Sequence, residues 1–185
     1  MNDILEKVEA FARDSHGDQR RKYRDEAYVN HPIRVMGICR QYNQTLPVAA
    51  AALLHDVLED TTVSSEEMLD FLDHVMAPGD ARHTMMLVKD LTDIYTHAAY
   101  PQWNRRARKA KESERLGKSH PDAQTIKYAD IIDNSNDIVG SGDDFGPTFL
   151  HECEAVLKKM KSGNPELYKL ALETVHSVLQ SLPEH

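Results

Sequence analysis

The sequence predicts an all-α fold, and three observations support this prediction. Apolar residues recur at helical spacing from the start of the chain, as Ile4, Leu5, Val8 and Phe11 show. No stretch alternates apolar and polar residues over the length of a strand, and no hairpin turn separates two apolar runs. Aromatic residues make up only 6% of the chain, so Leu, Val, Ile, Ala and Met must form most of the core. This mixture favours packed helices.

Helical segments follow one another along the chain, joined by short polar connections. Their predicted bounds are residues 3–14, 30–43, 47–60, 64–72, 80–93, 101–118, 121–140, 148–162 and 166–182. Asn30 is expected to be the N-cap of the second helix, with Pro32 in its first turn. The segment from Ser64 begins with the pattern of a capping box. No repeat or composition break divides the chain, so we expect one domain spanning residues 1–185.

Charge and cysteine content narrow the classes of function. A formal net charge of −8 argues against a general nucleic-acid binder, which needs a wide basic surface. No window approaches the roughly 18 apolar residues of a membrane span, and the charged first 14 residues lack an apolar h-region, so we expect no secretory signal. Cys39 and Cys153 lie far apart and indicate neither a disulfide framework nor a thiolate metal site, so a cytoplasmic setting is expected. No feature indicates an oligomeric state.

The stretch AALLHDVLED, residues 51–60, ends an almost wholly apolar run with one histidine and three carboxylates. On the predicted helix, His55 and Glu59 share one face, while Asp56 and Asp60 share the neighbouring stripe. Carboxylates side by side repel, and burying an unpaired charge costs several kcal/mol. A divalent cation would satisfy these groups.

Imidazole and carboxylate donors without thiolate suit Mn²⁺, Fe²⁺, Zn²⁺ or Mg²⁺, and histidine favours the transition metals. The H-D spacing matches neither a zinc finger nor the H-E-x-x-H pattern. The other ligands must therefore come from elsewhere in the chain. It offers His31 at the start of one helix and Asp130 within another, with Asn134 one helical turn after Asp130.

Three segments together, YVNHPIRV, AALLHDVLEDT and IKYADIIDN, resemble the HD-domain hydrolases of the RelA/SpoT class, specifically the single-domain small alarmone hydrolases. The resemblance runs from about residue 5 to about residue 140. It implies an HD-type helical bundle that uses Mn²⁺ or another divalent transition metal. It also implies removal of pyrophosphate from the 3′ position of ppGpp or pppGpp, which releases GDP or GTP.

The resemblance implies a role for each matching position. His31, His55, Asp56 and Asp130 match the family's four metal ligands. Glu59 and Asp60 match its catalytic acidic pair, which positions or activates the attacking water. Contacts with the nucleotide substrate are expected from Arg21, Lys22, Tyr28, Asn134 and Lys109.

A basic run, RRARKAKESERLGK, stands out in this acidic chain. It is either a solvated helix face crossed by salt bridges or a phosphate-binding surface. Its basic residues are Arg105, Arg106, Arg108, Lys109, Lys111, Arg115 and Lys118, against two glutamates.

Two departures from the family leave the identity of the nucleotide open. Asn136 and Asp137 stand where the family commonly has a basic residue, and YRDEA replaces the usual Gly and Pro before YVNHP. The alternatives are an HD-type nucleotidase or phosphatase acting on an adenosine alarmone or NADPH, and a non-catalytic nucleotide-binding module. Five further histidines lie in polar contexts and are expected to be exposed: His16, His74, His83, His97 and His120.

Overall fold

The computed structural model describes residues 1–139, 141 and 144–182. Helices account for the regular structure of these residues, and the all-α prediction is confirmed. The helices are α1 (Asn2–His16), α2 (Asn30–Cys39), α3 (Leu46–Leu54), α4 (Val57–Asp60), α5 (Ser65–Val75), α6 (Pro78–Leu91), α7 (Arg105–Leu116), α8 (Pro121–Ile138), α9 (Gly146–Lys159) and α10 (Pro165–Ser181). The predicted end of α8 at Gly140 lies outside the described residues. No described helix combines the length and the apolar character that crossing a membrane requires.

The chain divides into two compact units, with the boundary between Thr92 and Asp93. The first unit contains α1 to α6 and is built around α3, which packs against α1, α2 and α6. Every residue from Pro47 to Leu54 is buried, as expected of a helix that is apolar on all sides. The core of the first unit therefore surrounds the helix that leads directly to His55.

The predicted helix over residues 47–60 is interrupted, which corrects the sequence-based expectation. α3 ends at Leu54, a turn holds His55 and Asp56, and α4 begins at Val57. His55 Nδ1 lies 2.8 Å from the carbonyl oxygen of Ala52, so the imidazole donates a hydrogen bond to a backbone acceptor near the end of α3. Asp56 has φ −97° and ψ −9°, in the bridge region that many active-site residues adopt.

Of two helix starts that the sequence predicts, one is confirmed and the other is wrong. The capping box at Ser64 is confirmed, because its hydroxyl accepts from the Glu67 amide while the Glu67 carboxylate accepts from the Ser64 amide. Asn30 is not an N-cap: it is the first residue of α2, and its side-chain amide donates to Glu26. The Asn30 side chain therefore bonds to Glu26 in the preceding loop and does not cap the backbone amides of α2.

The second unit is organised by α8, which packs against α9 and α10, while α7 packs against α9. Tyr128 of α8 is fully buried, and its hydroxyl donates to the carbonyl oxygen of Met160 at 2.8 Å. The Gly163 amide approaches the same hydroxyl at 3.3 Å. This close approach joins the connection between α9 and α10 to the middle of α8.

Gly163→Ala is expected to lower the free energy of unfolding by about 1–3 kcal/mol, because the added methyl group overpacks a buried site. The new Cβ would lie 2.6 Å from the Tyr128 ring and 2.9 Å from the Thr125 backbone nitrogen. Urea unfolding measures the change. Gly37→Ala is the matched control, because nothing lies within 4 Å of its added Cβ. Equal stability of the two variants would contradict the prediction.

Candidate metal centre and its surroundings

Three donor atoms of the first unit converge at the ends of two helices. His31 is the second residue of α2, and His55 and Asp56 form the turn after α3. Asp56 Oδ2 lies 3.1 Å from His55 Nε2 and 3.5 Å from His31 Nε2. All three donors lie within 4.8 Å of one another. Packing of α2 against α3 therefore brings together side chains that are separated in sequence.

The histidine environment fits metal ligation. Both imidazoles are buried, with exposed fractions of 0% for His31 and 2% for His55. A carbonyl oxygen can only accept a hydrogen bond, so the contact with Ala52 places the His55 proton on Nδ1. When the ring is neutral, its Nε2 lone pair faces Asp56 Oδ2. Two imidazole nitrogens and one carboxylate oxygen, without sulfur, form a donor set that fits a divalent metal ion.

Tyr28 connects the candidate ligand Asp56 to the predicted catalytic residue Asp60. Its hydroxyl oxygen lies 2.8 Å from Oδ2 of each carboxyl group. A phenol has one hydrogen and cannot donate to two ionised carboxylates at once. While both carboxylates are ionised, the two groups therefore share a single hydrogen-bond donor.

The electrostatics of this contact raise the pKa of both Asp60 and Tyr28. Partial burial and the nearby charge of Asp56 raise the pKa of Asp60 above its usual value, although the Tyr28 hydroxyl opposes the increase. Burial and the same two carboxylates raise the pKa of Tyr28, which keeps the phenol protonated at neutral pH. The arrangement can hold a proton close to the predicted site of chemistry.

Tyr28→Phe is expected to raise the pKa of Asp60 further in the metal-free protein. The substitution removes a hydrogen-bond donor that stabilises the ionised carboxylate, so the protonated form gains relative to it. Carboxyl ¹³C chemical shifts followed against pH measure the change. Tyr42→Phe, in the connection after α2, is the control and should leave Asp60 unaffected. An unchanged or lowered Asp60 pKa in Tyr28→Phe would contradict the prediction.

Glu59 lies on the exposed side of α4, next to Asp60. The backbone amides of Glu59 and Asp60 both donate to the carbonyl oxygen of Asp56, at 3.1 Å and 2.9 Å. The acidic pair and one candidate ligand thus belong to the same helical turn. Their relative placement follows from backbone hydrogen bonds, although α4 is only four residues long.

Asp130 and Asn134 lie on α8 of the second unit. Asp130 is buried, with an exposed fraction of 4%, and its carboxylate pairs with Lys127 at 2.8 Å. The side-chain amide of Asn134 donates to the same carboxylate. The expected spacing of one helical turn is confirmed by this contact, while the ligand role of Asp130 and the substrate role of Asn134 stay predictions.

Arg21 and Lys22 belong to the loop between α1 and α2. An isolated bridge between Arg20 and Ala27 folds this loop back on itself. The Arg21 guanidinium lies 5.4 Å from the centre of the Tyr28 ring, within range of a cation–π contact. Lys22 is exposed, and its ammonium group donates to the Tyr23 hydroxyl at 2.9 Å. Arg21 is therefore placed beside the bridging tyrosine.

The basic run forms most of α7, and ion pairs occupy several of its side chains. Arg105 forms two hydrogen bonds with Glu152, and Lys109 contacts Asp93 at 2.9 Å. These pairs support the solvated, salt-bridged face among the two alternatives. Lys109 also borders a cavity of about 640 Å³ between α7 and α9. The remaining lining residues are Arg105, Arg106, Ala110, Ser113, Thr148, His151, Glu152, Ala155 and Val156.

His16 was expected to be exposed, and this expectation is wrong. Its exposed fraction is 3%, and its ring lies 4.6 Å from the Tyr28 ring, centre to centre. The sequence did contain a signal for this burial, although the polar neighbours of His16 suggested exposure. His16 continues the buried stripe of Leu5, Val8 and Ala12 at helical spacing. His74, His97 and His120 are exposed as expected, whereas His83 is partly buried, contrary to the expectation.

Comparison with known proteins gives matches over different lengths. The chain is 33% identical over 132 residues to guanosine-3′,5′-bis(diphosphate) 3′-pyrophosphohydrolase MESH1 of Mus musculus, a match covering 69% of this chain and 65% of that protein. The Drosophila melanogaster protein of that name is 34% identical over 131 residues, with the same coverage. A probable guanosine-3′,5′-bis(diphosphate) 3′-pyrophosphohydrolase from Synechocystis sp. is 45% identical over 58 residues, only 8% of its length. The chain thus spans less than two thirds of each of these relatives.

Two solved structures share the fold. One is described as a metazoan ortholog of SpoT that hydrolyzes ppGpp and plays a role in starvation responses. It matches with a TM-score of 0.77 and 27% identity, over 97% of each chain. The other, from Listeria monocytogenes EGD-e, matches with a TM-score of 0.62 and 20% identity, over 81% of this chain and 99% of that one.

The model of the HD domain family matches residues 28–135. This range is more than half of the chain and includes His31, His55, Asp56 and Asp130. The chain therefore belongs to the HD domain family.

Proposed function

We propose that this protein is a Mn²⁺-dependent hydrolase that removes the 3′-pyrophosphate of guanosine tetraphosphate or pentaphosphate and releases GDP or GTP. The observation that carries the proposal is the convergence of His31, His55 and Asp56, with an acidic pair in the adjoining turn. The names of the MESH1 relatives and of the ppGpp-hydrolysing structural neighbour support the same substrate.

The proposed ligands are His31, His55, Asp56 and Asp130. The first three already point their donor atoms toward one another, and the HD match includes all four. These residues would hold a divalent metal, which would make phosphorus more electrophilic and lower the pKa of water near neutral pH. Mn²⁺ is preferred in the proposal because a mixed imidazole and carboxylate set suits a transition metal.

Glu59 and Asp60 divide the proton transfers in the proposed mechanism. Glu59 is exposed and is assigned to accept a proton from the attacking water. Asp60 is assigned as the acid, because its pKa is raised and the Tyr28 hydroxyl holds its carboxyl group in place by donating to it. Protonation of the ribose 3′ oxygen by Asp60, as the bond between that oxygen and phosphorus breaks, would reduce the charge that develops there.

The remaining assignments concern the substrate. Arg21 and Lys22 are proposed to attract the phosphate groups, and Asn134 and Tyr28 to contact the nucleotide. Arg21 already lies beside the bridging Tyr28, which supports its assignment. Lys109 is proposed as a further phosphate contact, since its side chain borders the α7–α9 cavity, and a phosphate group there would compete with Asp93 for its ammonium group.

The proposed setting is the cytoplasm. Cys39 and Cys153 are both buried free thiols. Burial raises the pKa of Cys153 to about 12, so its thiol stays protonated and unreactive at neutral pH. Neither cysteine depends on an oxidising compartment.

A product assay tests the proposal directly. The protein is incubated with Mn²⁺ and a panel that contains ppGpp, pppGpp, adenosine alarmones, simple nucleotides and NADPH. Ion-exchange chromatography then separates nucleotides, pyrophosphate and inorganic phosphate. Pyrophosphate together with GDP or GTP is the expected result. Release of inorganic phosphate from another nucleotide would replace the proposal with an HD-type phosphatase, and ppGpp binding without turnover would indicate a non-catalytic module.

A further inference from the structure

His16 occupies the last turn of α1, where it ends the buried stripe of that helix. Its imidazole is almost fully enclosed, although no assigned step of the reaction uses it. A buried polar ring at this position needs hydrogen-bond partners, because an unsatisfied polar group inside a protein is costly. The contacts of the ring lead in two directions, and both end at Asp60.

The first path runs through hydrogen bonds. His16 Nδ1 lies 2.9 Å from Gln19 Oε1, and Gln19 Nε2 donates to the backbone carbonyl oxygen of Asp60 at 2.6 Å. A backbone carbonyl can only accept, so the Gln19 amide nitrogen must face Asp60. Oε1 therefore faces His16, and Nδ1 of the imidazole must be the donor. The orientation of every group along this path is determined.

The second path runs through the aromatic ring. The His16 and Tyr28 rings are tilted by 30° with their centres 4.6 Å apart. Tyr28 in turn places its hydroxyl 2.8 Å from Asp60 Oδ2. The backbone of Tyr28 is also fixed to the same loop, because its amide donates to the Gln19 carbonyl at 2.9 Å. His16 thus supports both residues that hold Asp60.

We propose that His16, acting through Gln19 and Tyr28, is a positioning residue for the candidate catalytic acid Asp60. Gln19 holds the main chain of Asp60, and Tyr28 holds its carboxyl group. Asp60 needs this support because it is the last residue of α4, and so short a helix has little stability of its own. This inference rests on the proposed function and adds to it a means of fixing the proton donor.

Variants that separate the two paths test the proposal. His16→Phe keeps a ring against Tyr28 but removes the donor to Gln19, while His16→Asn keeps an amide donor near the Nδ1 position. Gln19→Glu can still accept from His16 but places an oxygen against the Asp60 carbonyl. We expect kcat to fall about 10-fold to 100-fold in His16→Phe and Gln19→Glu, because small displacements of a catalytic group have effects of that size. KM and Mn²⁺ affinity should stay unchanged, and His16→Asn should recover part of kcat.

A double-substitution cycle and a matched control complete the kinetic test. The effects of His16→Phe and Gln19→Glu should not add, since both break the same path. Gln41→Glu changes an exposed glutamine in the connection after α2 and should leave kcat unaltered. Full kcat in both site variants, or a parallel loss of Mn²⁺ affinity, would overturn the proposal. If His16→Phe does not fold, the partly exposed Gln19 position still decides the question.

A readout independent of turnover separates this proposal from the proposed function. Amide hydrogen exchange at Asp60 should become about 10-fold faster in Gln19→Glu, since local opening of α4 becomes easier. Unchanged exchange would overturn the positioning role whatever the activity. Conversely, faster exchange in a protein that hydrolyses no nucleotide would uphold the support of Asp60 by Gln19 and reject the enzymatic assignment.

Discussion

His55→Ala is expected to abolish both divalent metal binding and turnover. The substitution removes one of three converging donors and leaves Asp56 Oδ2 without the imidazole 3.1 Å away. Losing a group that only orients a ligand typically costs about 10-fold to 100-fold in metal affinity, so losing a ligand should cost at least that much. Isothermal titration with Mn²⁺ and the ppGpp product assay measure the two losses.

His74→Ala is the matched control for this variant. His74 lies on α5 and is exposed, and its Nδ1 contacts the Asp70 carbonyl oxygen much as His55 contacts Ala52. We expect His74→Ala to bind Mn²⁺ and turn over substrate like the unmodified protein. Retention of tight Mn²⁺ binding by His55→Ala would remove His55 from the set of ligands.

Glu59→Gln is expected to keep the bound metal and to lose most of its turnover. The amide preserves the size of the side chain but cannot accept a proton from water at neutral pH. General-base catalysis typically contributes about 10²-fold to 10⁴-fold, and kcat should fall by a factor in this range. Mn²⁺ affinity should change little, since Glu59 is exposed and stands outside the three-donor cluster.

Glu66→Gln, on the exposed first turn of α5, controls for the loss of one negative charge. It should leave both kcat and Mn²⁺ affinity at their original values. Full activity in Glu59→Gln would show that another group accepts the proton. Loss of Mn²⁺ from Glu59→Gln would instead indicate that the glutamate binds the metal.

The helices were predictable because local signals and burial agree along most of the chain. The apolar surface of α3 and the capping box of α5 both follow directly from residue spacing. The turn at His55 and Asp56 was not predictable, because it depends on a side chain occupying the Ala52 carbonyl oxygen. Periodicity describes a continuous helix and contains no information about such competition.

The residues that form the site were predictable, but several of the hydrogen bonds and ring contacts between them were not. The proximity of His31 to His55 and Asp56 was expected from the resemblance, and the structure brings these donors together. The double contact of Tyr28 and the burial of His16 require the folded loop between α1 and α2. The polar sequence context of His16 predicted that it is exposed. It is buried because it lies on the apolar stripe of α1.

The phenol shared by Asp56 and Asp60 links metal loading to the pH of the solution. A cation beside Asp56 and a proton bound to Asp60 would compete for the same region of negative potential. Uptake of Mn²⁺ should therefore displace hydrogen ions into the buffer, and apparent affinity should strengthen as the medium becomes more alkaline. In acid, the protein would release a bound cation and protonate its carboxylates in one coupled equilibrium.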